Sequence, residues 1–167
     1  MIDQTTISLL SERPPFATIQ IGTFGNEGDL RKALLDGGHK ISGDADDILS
    51  RISVAPKPTS LDVYRVTNTE LGLPPYETLS DEAFEAIRKI GGEKLSAEAG
   101  PQYRLQMPSQ AGECVLIYMD PILGSNGVPL LFGIETHEDD LWLRGCRGPQ
   151  EVCNALRIWI FSRRQKQ

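Results

Sequence analysis

The chain has 167 residues, of which 40% are apolar and 24% charged, a balance that fits one ordinary globular domain and excludes collagen-like, disordered and disulfide-scaffold classes. Its net charge of −6 lies wholly in residues 1–100, which hold 10 basic and 16 acidic residues, against 7 and 7 in residues 101–167. An acidic chain repels nucleic-acid phosphates and anionic lipid surfaces, and no apolar run approaches the ~20 residues that span a bilayer, so neither nucleic acid nor membrane is an expected partner.

Residues 1–15 are polar, end in Pro14-Pro15 and read as a loose lead-in without secretory features. The domain proper is placed at 16–167. Ala17–Ile21 alternates with period two, as a half-buried strand does. Gly22-x-x-Gly25-x-x-Gly28 turns the chain into a helix that Asp29 is expected to cap and Gly37-Gly38 to stop. A second helix begins near Ser42, where Ile41, Ala45, Ile48, Leu49 and Ile52 form one stripe and Asp44, Asp46 and Asp47 suit the positive end of the helix dipole. Leu61–Val66 alternates again. Ser80 is expected to cap a third helix with Ala83, Phe84, Ile87 and Ile90 on one side. Gln102–Gln106, between Pro101 and Pro108, reads as a short strand.

From there strands dominate: Cys114–Met119, Leu130–Ile134, Leu141–Leu143 and Leu156–Phe161, with a strong turn at Gly124-Ser-Asn-Gly127. Their short separations favour antiparallel pairing, since parallel neighbours need a long crossover. The expected fold is α+β: a helix-rich acidic half over 16–100, an antiparallel strand series over 101–167, and about three helices on one face of a mostly antiparallel sheet.

Candidate chemistry is sparse. The glycine turn follows a strand and opens a helix, where backbone N–H groups bind phosphates in other proteins, but its spacing is not that of a dinucleotide or Walker loop, and Glu27 and Asp29 would repel an anion. His137-Glu138-Asp139-Asp140 joins an imidazole to three carboxylates between two strands. This is the best candidate for a divalent metal, and through it for hydrolysis, although adjacent loop residues point in different directions. Cys146 and Cys153 are spaced too widely for the usual zinc pair. Three cysteines in all, with Cys114 in an apolar run, predict reduced thiols and a cytoplasmic location. His39 reads as a helix-end cation. No nucleophile elbow occurs, and nothing selects a catalytic pair among carboxylates such as Glu98, Asp120 and Glu135. Arg163, Arg164 and Lys166 read as a solvated basic tail. Trp142 flanked by Arg104, Arg144 and Arg147 would make a partner surface if the aromatic side is exposed.

Gly22-Thr-Phe with Asp29-Leu-Arg-Lys-Ala33, Ile41-Ser with Ala45–Leu49, Glu93–Gln106 and His137–Leu143 together resemble a group of small uncharacterised bacterial proteins with no assigned activity, over about residues 19–163. The resemblance implies a bacterial origin, and Glu138, Asp139 and Asp140 match its three acidic residues after a His. On the residues themselves, the leading expectation is a non-catalytic module that binds a protein partner without a cofactor. The alternative is a small metal-dependent hydrolase or ligand-binding enzyme using His137–Asp140. A weaker alternative is an acidic mimic of nucleic acid.

Overall fold

A strand covered on both faces is apolar at consecutive positions rather than alternate ones. Three segments of this chain have that property: Cys114–Ile117, Leu130–Ile134 and Ile158–Phe161 are buried without interruption. They form the middle of a mixed sheet in the computed structural model, which describes residues 2–109, 111–147, 150–152 and 155–164.

The elements run α1 (Gln4–Ser11), β1 (Ala17–Ile21), α2 (Glu27–Asp36), β2 (Lys40–Ile41), α3 (Gly43–Leu49), β3 (Thr59–Thr67), β4 (Glu77–Leu79), α4 (Ser80–Lys89), β5 (Gly92–Glu93), α5 (Ala99–Gln106), β6 (Glu113–Ile117), β7 (Ile122–Leu123), β8 (Pro129–His137), β9 (Asp140–Arg147), β10 (Gln150–Val152) and β11 (Leu156–Arg163). The main sheet has the order β1-β3-β11-β6-β8-β9-β2, with β5 also paired to β11 and β7 to β8. β4 and β10 form a separate antiparallel pair. The strand at 17–21 therefore joins the same sheet as the later strands, and the chain is one α+β domain.

Two expectations about this sheet are corrected. β11 runs parallel to β6, and β2 parallel to β9, so the sheet is mixed. The physical reason is connection length: the β8–β9 hairpin lies between β6 and β11 in sequence, which gives the chain room to return and insert β11 between β3 and β6. The helices number five among the described residues and occupy both faces. Phe132 and Gly145 are cross-strand partners and point to one side, where Gly100 of α5 abuts Phe132 and α3 backs Gly145 with Asp44 and Ala45. Trp159 points to the other side, under α4, with the Phe84 ring edge-on at 5.7 Å. The uninterrupted apolar strands demand cover on both faces, and α4 supplies it where α3 and α5 do not.

Local differences have equally local causes. Residues 4–11, read as part of a loose lead-in, form α1, capped by Asp3, whose carboxylate accepts the Thr6 N–H at 2.7 Å. Leu10 is buried, and Arg163, stacked 4.5 Å over Tyr64, donates to the carbonyls of Leu10 and Arg13. Gln102–Gln106 is helical, not extended. Pro101 sits in the first turn of α5, where its missing N–H has no carbonyl to serve. Asn26, not Asp29, caps α2 by accepting the Asp29 N–H at 2.8 Å. α4 starts at Ser80 itself, after Leu79, without a side-chain cap. Ser42 does cap α3, and its hydroxyl also accepts the Gly145 N–H at 3.2 Å.

At the free edge of β1, the Gln106 side chain does the work of a neighbouring strand. Its amide accepts the Gln20 N–H and donates to the Gln20 carbonyl, both at 2.8 Å. An open edge strand invites pairing with another chain, and here part of that edge is occupied from within.

Asp47 ties α3 to the turn at 124–127. Its carboxylate accepts the hydroxyl and N–H of Ser125, each at 2.7 Å, and lies 3.1 Å from Arg51. These bonds, those of Ser125 foremost, hold its pKa down at about 2 from an ordinary 3.8. A depressed folded-state value stabilises the fold above the unfolded value and loses that contribution as pH falls. Acid titration of stability should therefore show a decline between about pH 4 and pH 2 that is shallower in Asp47→Asn. Equal slopes for the two proteins would contradict this assignment.

Candidate functional site

The β8–β9 hairpin gathers more of the singled-out residues than any other part of the described structure. Its register pairs His137 with Asp140, Glu135 with Trp142 and Gly133 with Arg144. Side chains at 135, 137, 140, 142 and 144 therefore share the face on which α4 packs further along the sheet. Glu138, at the tip, takes the left-handed backbone conformation with φ 56°. Beside this face opens a cleft of about 340 Å³, lined by Glu135, Thr136, His137 and Arg144 and by Gly112, Glu113 and Ala155.

Charge pairing orders the cleft wall. Arg144 lies 2.5 Å from the Glu135 carboxylate, and its guanidinium sits 4.6 Å over the Trp142 ring. Lys40 reaches the same ring at 5.6 Å and pairs with Asp140 at 2.9 Å. Trp142 is thus a half-buried aromatic held between two cations, each anchored by its own carboxylate. Such an arrangement keeps a flat apolar surface and a charged fork in fixed positions, which are the features of an interface anchor.

The four residues of the hairpin tip do not converge. His137, Glu138 and Asp139 are exposed, Asp140 is committed to Lys40, and among the described residues no three His, Cys, Asp or Glu side chains come together as metal ligands. The His137 imidazole makes no hydrogen bond or ion pair among the described residues. A catalytic imidazole is ordinarily oriented by one partner and placed against a nucleophile by another. The two-residue turn explains the dispersal: Glu138 and Asp139 splay into solvent at its tip, and Asp140, although on the same face as His137, is drawn to Lys40.

The partner-surface residues also divide. Trp142 and Arg144 line the face as expected. Arg147 is largely exposed, 3.7 Å from Asp44. Arg104 is not a surface residue: it is 1% exposed, and its guanidinium donates to Ser109 Oγ at 3.0 Å and to the carbonyls of Glu135 and Met107 at 3.2 Å. Helical geometry turns it inward, so it fastens α5 to β8, and burial pushes its pKa down. Lys40 was not singled out from sequence. It reaches Trp142 only because the two-residue β2 pairs with β9, and so short a strand leaves no periodic signal.

The remaining candidates are accounted for by structure. The Gly22 N–H donates to buried Glu98 at 2.7 Å, as does the Ala55 N–H at 2.7 Å, so a carboxylate of the chain itself fills the place a phosphate would take. Asp120 pairs with Lys94 at 2.6 Å. Cys114 and Cys146 are buried thiols on either side of β8, close to Gly133. The hydrogen bond with Cys146, and burial after it, push the Cys114 thiol well up, which disfavours the thiolate a nucleophile needs. Cys153 lies outside the described residues. Several acidic side chains of the first half are tied in ion pairs, among them Asp46 to Arg31, Asp36 to Lys32 and Glu85 to Arg88, each at 2.6 Å. No helix among the described residues is long and apolar enough to cross a membrane. No protein-family model, curated protein or solved structure matches the chain.

Proposed function

We propose that this protein is a non-catalytic protein-binding module whose contact face is the Lys40–Trp142–Arg144 patch on the β8–β9 hairpin. The observation that carries this reading is the ordered, half-exposed Trp142 between two cations beside a cleft. Tryptophan and arginine dominate the residues that contribute most to protein interfaces. The Glu135 and Asp140 partners reduce the freedom the two cations would lose on binding.

The test is site-specific photocrosslinking. A photoreactive residue at exposed position 139 should give a saturable crosslink to one discrete protein in extract of the source organism, and one at position 123, on β7, should not. The double variant Trp142→Ala/Arg144→Ala should weaken capture by roughly thirtyfold or more, as truncation of interface anchors does. Because both side chains are partly exposed, its melting temperature should stay close to the parent's. Equal capture by the parent and the double variant would remove the basis for this face.

A further inference from the structure

A second concavity lies away from the hairpin and carries a different chemistry. Between α4, the 71–73 segment and the residue before α1's cap there is a groove of about 410 Å³, within the size range of ligand and side-chain pockets. Its apolar surface comes from Ile2, Leu71, Leu73 and Ala86. Leu71 is itself part of the core, and the other three pack against that core, so the floor is continuous with it. The loop carrying Leu71 and Leu73 is held by Asn68, whose carbonyl accepts the Leu73 N–H at 2.8 Å.

The rim is acidic. Asp81, Glu82 and Glu85 line it from α4, with Lys89 at the far end. Glu85 is neutralised by Arg88 at 2.6 Å, whereas Asp81 and Glu82 form no ion pair among the described residues. An apolar trough beside unpaired carboxylates complements one kind of surface: apolar side chains next to cations. A second copy of this chain, with its net charge of −6, is a poor match for that rim.

We propose that this groove is the docking site for a basic amphipathic segment of a partner protein, with apolar side chains on the Leu71–Leu73 floor and Lys or Arg side chains against Asp81 and Glu82. This is the helix-in-groove mode of recognition, in which apolar anchors supply affinity and flanking charge supplies orientation. The inference is independent of the hairpin face.

Fluorescence anisotropy with a labelled amphipathic peptide of leucine and lysine tests it. The full chain should bind this peptide saturably, bind a leucine–glutamate peptide of the same pattern far more weakly, and lose affinity with added salt. Charge reversal at the rim, Asp81→Lys/Glu82→Lys, should weaken binding about tenfold or more, given two exposed pairs lost and two repulsions gained. The same charge change in α2, Asp29→Lys/Asp36→Lys, should leave binding within about twofold, since exposed charges beyond a Debye length of ~10 Å are screened. Leu73→Asp should abolish binding. Equal loss in the rim and α2 variants would show attraction to net charge alone and overturn the proposal. So would absence of saturable binding, equal affinity for the glutamate peptide, or a concentration-dependent dimer of this chain that occupies the groove.

Discussion

Replacing Asn68 by Ala is expected to lower unfolding stability by about 2–4 kcal/mol, because it orphans the buried Trp159 indole N–H and removes the bonds to two partly buried carbonyls. Asn68 is buried, and its amide accepts the Trp159 indole N–H at 2.8 Å while donating to the Pro74 carbonyl at 2.8 Å and the Glu77 carbonyl at 2.6 Å. Trp159 is wholly buried between β3 and β6. No water reaches its indole nitrogen, and an unmade bond there costs its full desolvation, about 1–3 kcal/mol. The two carbonyls hold the 68–77 segment in its looped path, so their loss also loosens the entry to β4. Urea unfolding should show a fall in midpoint at nearly constant slope. A second substitution, Trp159→Phe, separates the contributions. It removes the orphaned donor, so in the Asn68→Ala background it should cost less than it does alone. Additive losses in the double variant would mean that the indole bond carries no net stability.

Gly22→Ala is expected to cost about 3 kcal/mol or more from two effects that act together. The backbone there has φ 72°, and a Cβ would stand 2.1 Å from the Lys57 carbonyl oxygen and 2.7 Å from its carbon. A left-handed alanine is strained by roughly 1–2 kcal/mol, and the contact forces the 55–57 linker away from β1, at roughly 1–3 kcal/mol for an overpacked site. The linker cannot move freely, because Glu98 bonds both strands of this junction through the N–H groups of Gly22 and Ala55. Glu98→Gln provides the companion measurement. An amide presents one acceptor and one donor where the site offers only donors: two backbone N–H groups and the Gln102 amide at 3.1 Å. It should destabilise, and it should also lower the penalty of Gly22→Ala by freeing the linker. A Gly22→Ala protein as stable as the parent would refute this account of the turn.

The same junction shows how far residue pattern carries. A strand, a glycine turn and a helix in that order were readable from Ala17 to Asp36, because alternation, turn residues and the i, i+3, i+4 stripe are each local. The purpose of the turn was not readable. Glu98 arrives from 76 residues further along the chain, and nothing in its neighbourhood marks it as the acceptor. Pro101 misled for a related reason. A proline next to extended-looking residues suggests a strand, yet the first turn of a helix tolerates proline as well, and only the packing of Gly100 against Phe132 selects the helix. At the hairpin, a turn between two strands was readable around His137–Asp140, but it consists of Glu138 and Asp139 alone, with His137 and Asp140 as the last rung of β8 and β9. The composition of that loop suggested a metal site, and the two-residue turn separates the very side chains that composition placed together.

What the sequence determined alone is the class and most of the parts. Charge, composition and period set an α+β domain and the positions of β1, α2, α3, β3, α4 and the hairpin strands. These follow from short-range rules, since backbone propensity, turn chemistry and apolar periodicity act within a few residues. What only the tertiary structure decided is how those parts meet: β11 inserted parallel to β6, helices on both faces, Arg104 turned into the core, Lys40 brought to Trp142, and the α4 groove set against Leu71 and Leu73. Each depends on pairing between residues tens of positions apart. Such pairing is governed by burial of the two faces of one shared sheet, a property of the whole chain and not of any segment within it.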